Sequence, residues 1–119
     1  MVETHKDLEV WKVSVDFVTE LYILTNSFPK SELCSLTSQI RRAAISIPSN
    51  IAEGAARKNT KEFVQFLYIA LGSLSEIETQ IIITKNLNYL NEIDQTTDKI
   101  RYIRILLTRL IKALNNRIK

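Results

Sequence analysis

The sequence is poor in the residues that punctuate β-structure and in those that bind metals or carry out acid–base work. Its 119 residues include two glycines and two prolines. Sandwiches and barrels need turn residues roughly every eight to twelve positions, so an all-β fold is excluded. A single cysteine, Cys34, cannot form an internal disulfide and suits a reducing compartment such as the cytoplasm. With one histidine, His5, there is no ligand set for zinc and no base for a Ser–His–acid or Cys–His arrangement. A di-metal carboxylate bundle fails for want of a Glu-x-x-His pair. Gly54 and Gly72 are too far apart for a phosphate-cradling loop. Glu76 and Glu78, the nearest approach to a carboxylate pair, sit two apart on a helix and face different ways. No catalytic residue, metal or cofactor is expected. The longest apolar run, at Ile81 to Ile83, is far below the ~20 residues of a membrane span. Met1 to Lys6 lead into no apolar stretch, so no signal peptide is expected either.

Helical periodicity is what the sequence has in quantity. Apolar residues make up 45% and charged residues 24%, a globular balance for one domain over residues 1–119. Sixteen isoleucines favour strands on propensity alone. Spacings of three and four sustained over twenty residues outweigh that preference, which is worth only tenths of a kcal/mol per residue. The first segment, about 7–28, carries two parallel sets: Leu8, Trp11, Val15, Val18 and Tyr22 beside Val10, Val13, Phe17, Leu21, Leu24 and Phe28. Pro29 ends it and suits the first turn of the next helix. The second, about 31–57, has a stripe of Leu33, Leu36, Ile40, Ala44, Ile47 and Ile51, with Pro48 inside it predicting a kink rather than a break. Asn59 followed by Glu62 marks a helix start. The third segment, 60–86, has the cleanest stripe, from Phe63, Phe66 and Leu67 through Ala70, Leu74 and Ile77 to Ile81. Asn86, Asn88 and Asn91 make a turn, Asn91 being the expected N-cap of the fourth segment, about 92–116. That last helix is buried through Ile100, Ile103, Leu107, Leu110, Ile111 and Leu114. Four long helices with short links predict an all-α, up-down-up-down four-helix bundle.

Several helices are apolar around more than one face. Val64, Tyr68, Leu71 and Ile82 widen the third, and Ile45, Ala52 and Ala56 the second. A monomeric bundle has no second core for them, so self-association is expected. On the second helix Arg42, Ser46, Asn50, Glu53 and Arg57 step by four, four, three and four, a polar stripe away from the core. Glu62, Gln65, Ser73, Glu76 and Gln80 form a comparable row on the third. If the two helices are antiparallel, Arg42 is level with Glu76, Ser46 with Gly72 and Arg57 with Glu62, which suits Arg–carboxylate pairing. Residues 1–98 hold nine Lys/Arg and thirteen Asp/Glu, whereas residues 99–119 hold seven Lys/Arg and no acid. Arg101, Arg104, Lys112 and Lys119 then form a basic ridge suited to a phosphate backbone.

These stretches occur in a recognisable order: Leu8-Glu9-Val10-Trp11-Lys12, Leu36 through Ala44, Ser46-Ile47-Pro48-Ser49-Asn50-Ile51-Ala52-Glu53-Gly54, and Glu62-Phe63 on to Glu76. Together they closely resemble the bacterial four-helix-bundle proteins called 23S rRNA-intervening-sequence proteins. In fold they are also similar to the accessory variability proteins of diversity-generating retroelements. The resemblance implies a homopentamer and a link to ribosomal RNA, and its motif falls on Arg42, Ser46, Pro48, Asn50, Glu53, Gly54, Glu62 and Glu76 without naming a catalytic residue. The expectation is a non-enzymatic, cytoplasmic oligomer that binds RNA through Arg101, Arg104, Lys112 and Lys119. The alternatives for Arg42, Ser46, Asn50, Glu53, Arg57, Glu62 and Glu76 are an adaptor that docks a protein through the polar stripe, with no nucleic-acid role, or a stripe that only fixes the contact between subunits.

Overall fold

A computed structural model describes residue 5 and residues 8–118. Four helices account for most of them: α1 (Glu9–Thr25), α2 (Leu36–Ala55), α3 (Thr60–Asn86) and α4 (Asp94–Ile118), with no strand among the described residues. Each helix packs on the next and α4 closes against α1, while the backbones of the diagonal pairs α1·α3 and α2·α4 stay apart across the shared core. The result is a four-helix bundle. Its extents are 47 × 23 × 19 Å.

The core runs down the middle from Val10, Phe17 and Leu21 of α1 through Ile40, Ala44, Ile47 and Ile51 of α2. Leu67, Leu74, Ile77 and Ile81 of α3 and Ile100, Ile103 and Leu107 of α4 complete it. Of the two apolar sets on α1, the one containing Phe17 and Leu21 is inside, while Val15 and Tyr22 of the other are exposed. α2 continues through Pro48, which is buried within it. α3 is the one described helix long and apolar enough to cross a membrane by length and composition. The Ile81–Ile83 run raises its hydropathy, yet its inner face is the bundle core and its outer face carries Gln65, Glu76 and Thr79.

The helix ends show which local signals prevail. Asn59 caps α3 as its position suggests, its side-chain oxygen accepting from the backbone N–H of Lys61 at 2.8 Å and of Glu62 at 3.4 Å. At the other end Asn88 takes φ 63°, and the N–H groups of Tyr89 and Asn88 bond to the carbonyls of Thr84 and Lys85. This is a Schellman stop with asparagine at its left-handed position. α2 starts at Leu36, later than the 31 expected. Pro29 leads instead into a 3-10 turn, Lys30–Glu32, and Leu33, expected in the core, is 57% exposed. α4 starts at Asp94, whose N–H is held by the Glu92 carboxylate at 2.8 Å; Asn91 does not make the cap. The expected start of α1 at residue 7 lies outside the described residues.

Candidate interaction site on the bundle surface

The sharpest polar feature lies where α2 crosses α3. Ser46 and Ser73 place their hydroxyls 2.9 Å apart, and Asn50 donates to both the hydroxyl and the carbonyl of Ser46, at 2.9 and 2.7 Å. All three are half-buried. Ser46 faces Ser73, Gly54 faces Phe63 and Phe66, and Arg57 lies over the Phe66 ring, so α2 and α3 run in opposite directions. A Cβ on Gly54 would stand 2.8 Å from Phe63 Cδ1 and from Phe66 Cβ. Glycine there lets the two helices touch at their joined end, which fixes the register along the polar stripe.

Beside that network an open groove of about 430 Å³ is lined by Cys34, by Ser38, Gln39, Arg42 and Ser46 of α2 and by Ser73 and Glu76 of α3. Gln80 donates to Glu76 at 3.3 Å and so steadies the carboxylate. The structure therefore brings Arg42, Ser46 and Glu76 to one groove, but Arg42 makes no ion pair among the described residues. Arg57 pairs with Glu53 one turn back at 3.6 Å rather than with Glu62. Glu62 is exposed near the start of α3.

The ridge on α4 divides. Arg104 is half-buried and turned onto α3, where its guanidinium makes a fork to Glu78 with bonds of 3.0 and 3.4 Å and reaches Ser75 at 3.4 Å. It stands four residues after Ile100 and three before Leu107, which sets it beside the core stripe rather than opposite it. Arg101 pairs with Asp98 at 3.0 Å on its own helix. Lys112 is exposed, as are Arg109 and Arg117, and none of the three makes an ion pair among the described residues. Lys119 lies outside the described residues. No three His, Cys, Asp or Glu side chains converge as a metal site among the described residues. The sequence reading missed Arg41. It donates to Thr25 at 2.9 Å and Asn26 at 3.1 Å and stacks on Tyr22, tying the end of α1 to the start of α2.

A family model described as 23S rRNA-intervening sequence protein matches residues 6–112 of the chain. The chain belongs to the 23S rRNA-intervening sequence protein family. Among curated proteins none matches it. The family description names 23S rRNA, and the Ser46–Asn50–Ser73 network joins α2 to α3.

Proposed function

We propose that this member of the 23S rRNA-intervening sequence protein family is a non-enzymatic, cytoplasmic module that self-associates, as a pentamer, and binds RNA through α4. The observation that carries the reading is the run of seven Lys/Arg with no acid over residues 99–119. Its exposed part, Arg109, Lys112 and Arg117, keeps its charge uncommitted among the described residues. Phosphate contacts by such residues give affinity with little base specificity, and the family's ribosomal RNA setting supplies the class of polyanion. Arg101 and Arg104 contribute less than their place in the sequence suggests, because Asp98 and Glu78 already occupy them.

The test is a salt titration of binding to a ribosomal RNA fragment. Reversal of both Arg109 and Lys112 to Glu lowers affinity at least about tenfold and flattens the log–log salt slope by about two. An unchanged slope removes α4 from the account. The polar groove favours a second reading, a protein adaptor, because Arg42 lines it and makes no ion pair among the described residues. On that reading Asn50→Ala abolishes capture of the partner and leaves RNA affinity alone.

A further inference from the structure

A small pocket of about 130 Å³ lies where α1 passes into α2, and no acid lines it among the described residues. Asn26, Lys30, Thr37 and Arg41 supply its donors. Arg41 is fixed in place: its Nε donates to the Thr25 hydroxyl at 2.9 Å, its Nη2 to Asn26 Oδ1 at 3.1 Å, and the guanidinium lies over the Tyr22 ring. Its other terminal nitrogen, Nη1, has no bond among the described residues and is free to donate. With its oxygen engaged by Arg41, Asn26 keeps its amide nitrogen as a donor. Lys30 is exposed and makes no ion pair among the described residues.

Thr37 is the informative member. It is 3% exposed, yet its hydroxyl has no hydrogen-bond partner among the described residues. Thr25 and Thr84, equally buried, return their hydroxyls to carbonyls of their own helices, at Leu21 and Ile81. The unpaired side-chain atoms sealed off from open space are Ser14 Oγ and Gln80 Oε1. Thr37 Oγ1 is therefore open, and at this position what it opens on is the pocket.

We infer that this pocket binds the phosphoryl end of a phosphate monoester. Lys30 and Arg41 match the two negative charges that a monoester carries above its second pKa of about 6. Ammonium, guanidinium, amide and hydroxyl donors suit an anion that presents three oxygens, whereas a carboxylate presents two. The pocket is well below the ~300–1,000 Å³ of sites that enclose a whole ligand, so it takes the terminal group and leaves the rest of the molecule outside. Thr37 also stands in the first turn of α2, at the positive end of the helix dipole. The acid nearest in sequence, Glu32, does not line the pocket; Ser35, Tyr89 and the backbone N–H of Leu36 engage its carboxylate.

This site is separate from the cations proposed to bind RNA. Lys99, near the start of α4, pairs with Glu20, near the end of α1, so α4 begins at the pocket's end of the bundle and runs away from it. Arg109, Lys112 and Arg117 stand about 15–27 Å further along that helix. Binding there and binding here are independent, and the failure of one reading leaves the other untouched.

Calorimetric titration with adenosine 5′-monophosphate, against adenosine as the blank, tests the inference. The monophosphate binds saturably at one site per chain and adenosine does not. Lys30→Glu lowers that affinity at least about tenfold and Thr37→Val about fivefold, while Thr37→Ser, which keeps the hydroxyl, retains it. Lys61→Glu, the same charge change at the start of α3, leaves the affinity within about twofold. Urea midpoints without ligand check that each variant folds. A ribonucleotide tetramer with and without a 5′-phosphate separates the two sources of the group. If the phosphate tightens tetramer binding beyond that of the monophosphate, and Lys30→Glu removes the gain, the occupant is an RNA end. Equal affinities for phosphorylated tetramer and monophosphate assign a free phosphorylated small molecule. Adenosine binding as well as its monophosphate, no saturable binding of either, or equal losses from Lys30→Glu and Lys61→Glu overturns the site.

Discussion

Gly54 and Gly72 are the only glycines in the chain, and their surroundings give them opposite sensitivities. At Gly54 an added Cβ would stand 2.8 Å from Phe66 Cβ and 3.2 Å from the Phe63 carbonyl oxygen, atoms that the α3 backbone holds in place. Gly54→Ala is therefore expected to cost about 1–3 kcal/mol in urea unfolding, the usual penalty for overpacking. Gly72→Ala meets open space and should add up to about 1 kcal/mol of helix stability in the same urea unfolding. Sequence spacing located Ser46 and Asn50 well, because steps of three and four fix a direction around a helix. It placed Ser46 opposite Gly72, one residue from its true neighbour Ser73, since register depends on the Gly54 contact and not on helix length. Arg104 was harder to place. A residue flanking the core stripe is read as surface until the neighbouring helix supplies its carboxylate, here Glu78.

At the scale of elements, α3 was legible at both ends because its stop and start signals are local: Asn59 accepts from the next turn and Asn88 takes the left-handed conformation. The start of α2 was not legible, since it is set by residues distant in sequence. Tyr89 in the α3–α4 link donates to Glu32 at 2.8 Å and Ser35 donates to the same carboxylate at 2.6 Å. The Phe28 and Tyr89 rings lie 5.7 Å apart beneath them. Two connections that the chain writes 57 residues apart are thus fastened at one end of the bundle. The hydroxyls of Ser35 and Tyr89 hold the Glu32 carboxyl below its ordinary 4.5, and the bond to Glu32 raises the Tyr89 phenol above its ordinary 10.0. For Glu32 the stabilisation is present above 4.5 and is lost as pH falls through its lowered folded value. For Tyr89 it is present below 10.0 and is lost as pH rises through its raised folded value. The stability difference between wild type and Tyr89→Phe should accordingly be a plateau between those values that shrinks on both flanks. Denaturant midpoints across pH would show it. A residual acid limb in the variant should disappear with Ser35→Ala, since that hydroxyl is the larger influence on Glu32.

For the whole molecule, charge and apolar surface make opposing demands. Each copy carries seven Lys/Arg in its last 21 residues, and drawing copies together brings those cations toward one another. At ~0.1 M salt such charges still interact over about 10 Å, so the proposed assembly would act against their repulsion. RNA laid across several α4 helices, on the proposed function, would relieve that repulsion. Binding and assembly are then linked, and the linkage is reciprocal: whatever factor RNA contributes to assembly, assembly contributes to RNA affinity. A substitution that keeps copies apart without touching a cation on α4 should weaken RNA binding by more than one order of magnitude, because separate copies lose the ~10²–10⁴-fold gain available to linked sites. It should also reduce the salt slope, since a lone copy neutralises fewer phosphates. Conversely, an RNA fragment long enough to span neighbours should shift wild-type sedimentation toward the assembled form at protein concentrations where the free chain dissociates. A fragment of a few nucleotides, able to reach only one α4, should bind the variant and wild type alike and leave the assembly equilibrium where it was. Length dependence, rather than affinity alone, therefore separates a surface that works as a multi-copy rim from one that works a single helix at a time.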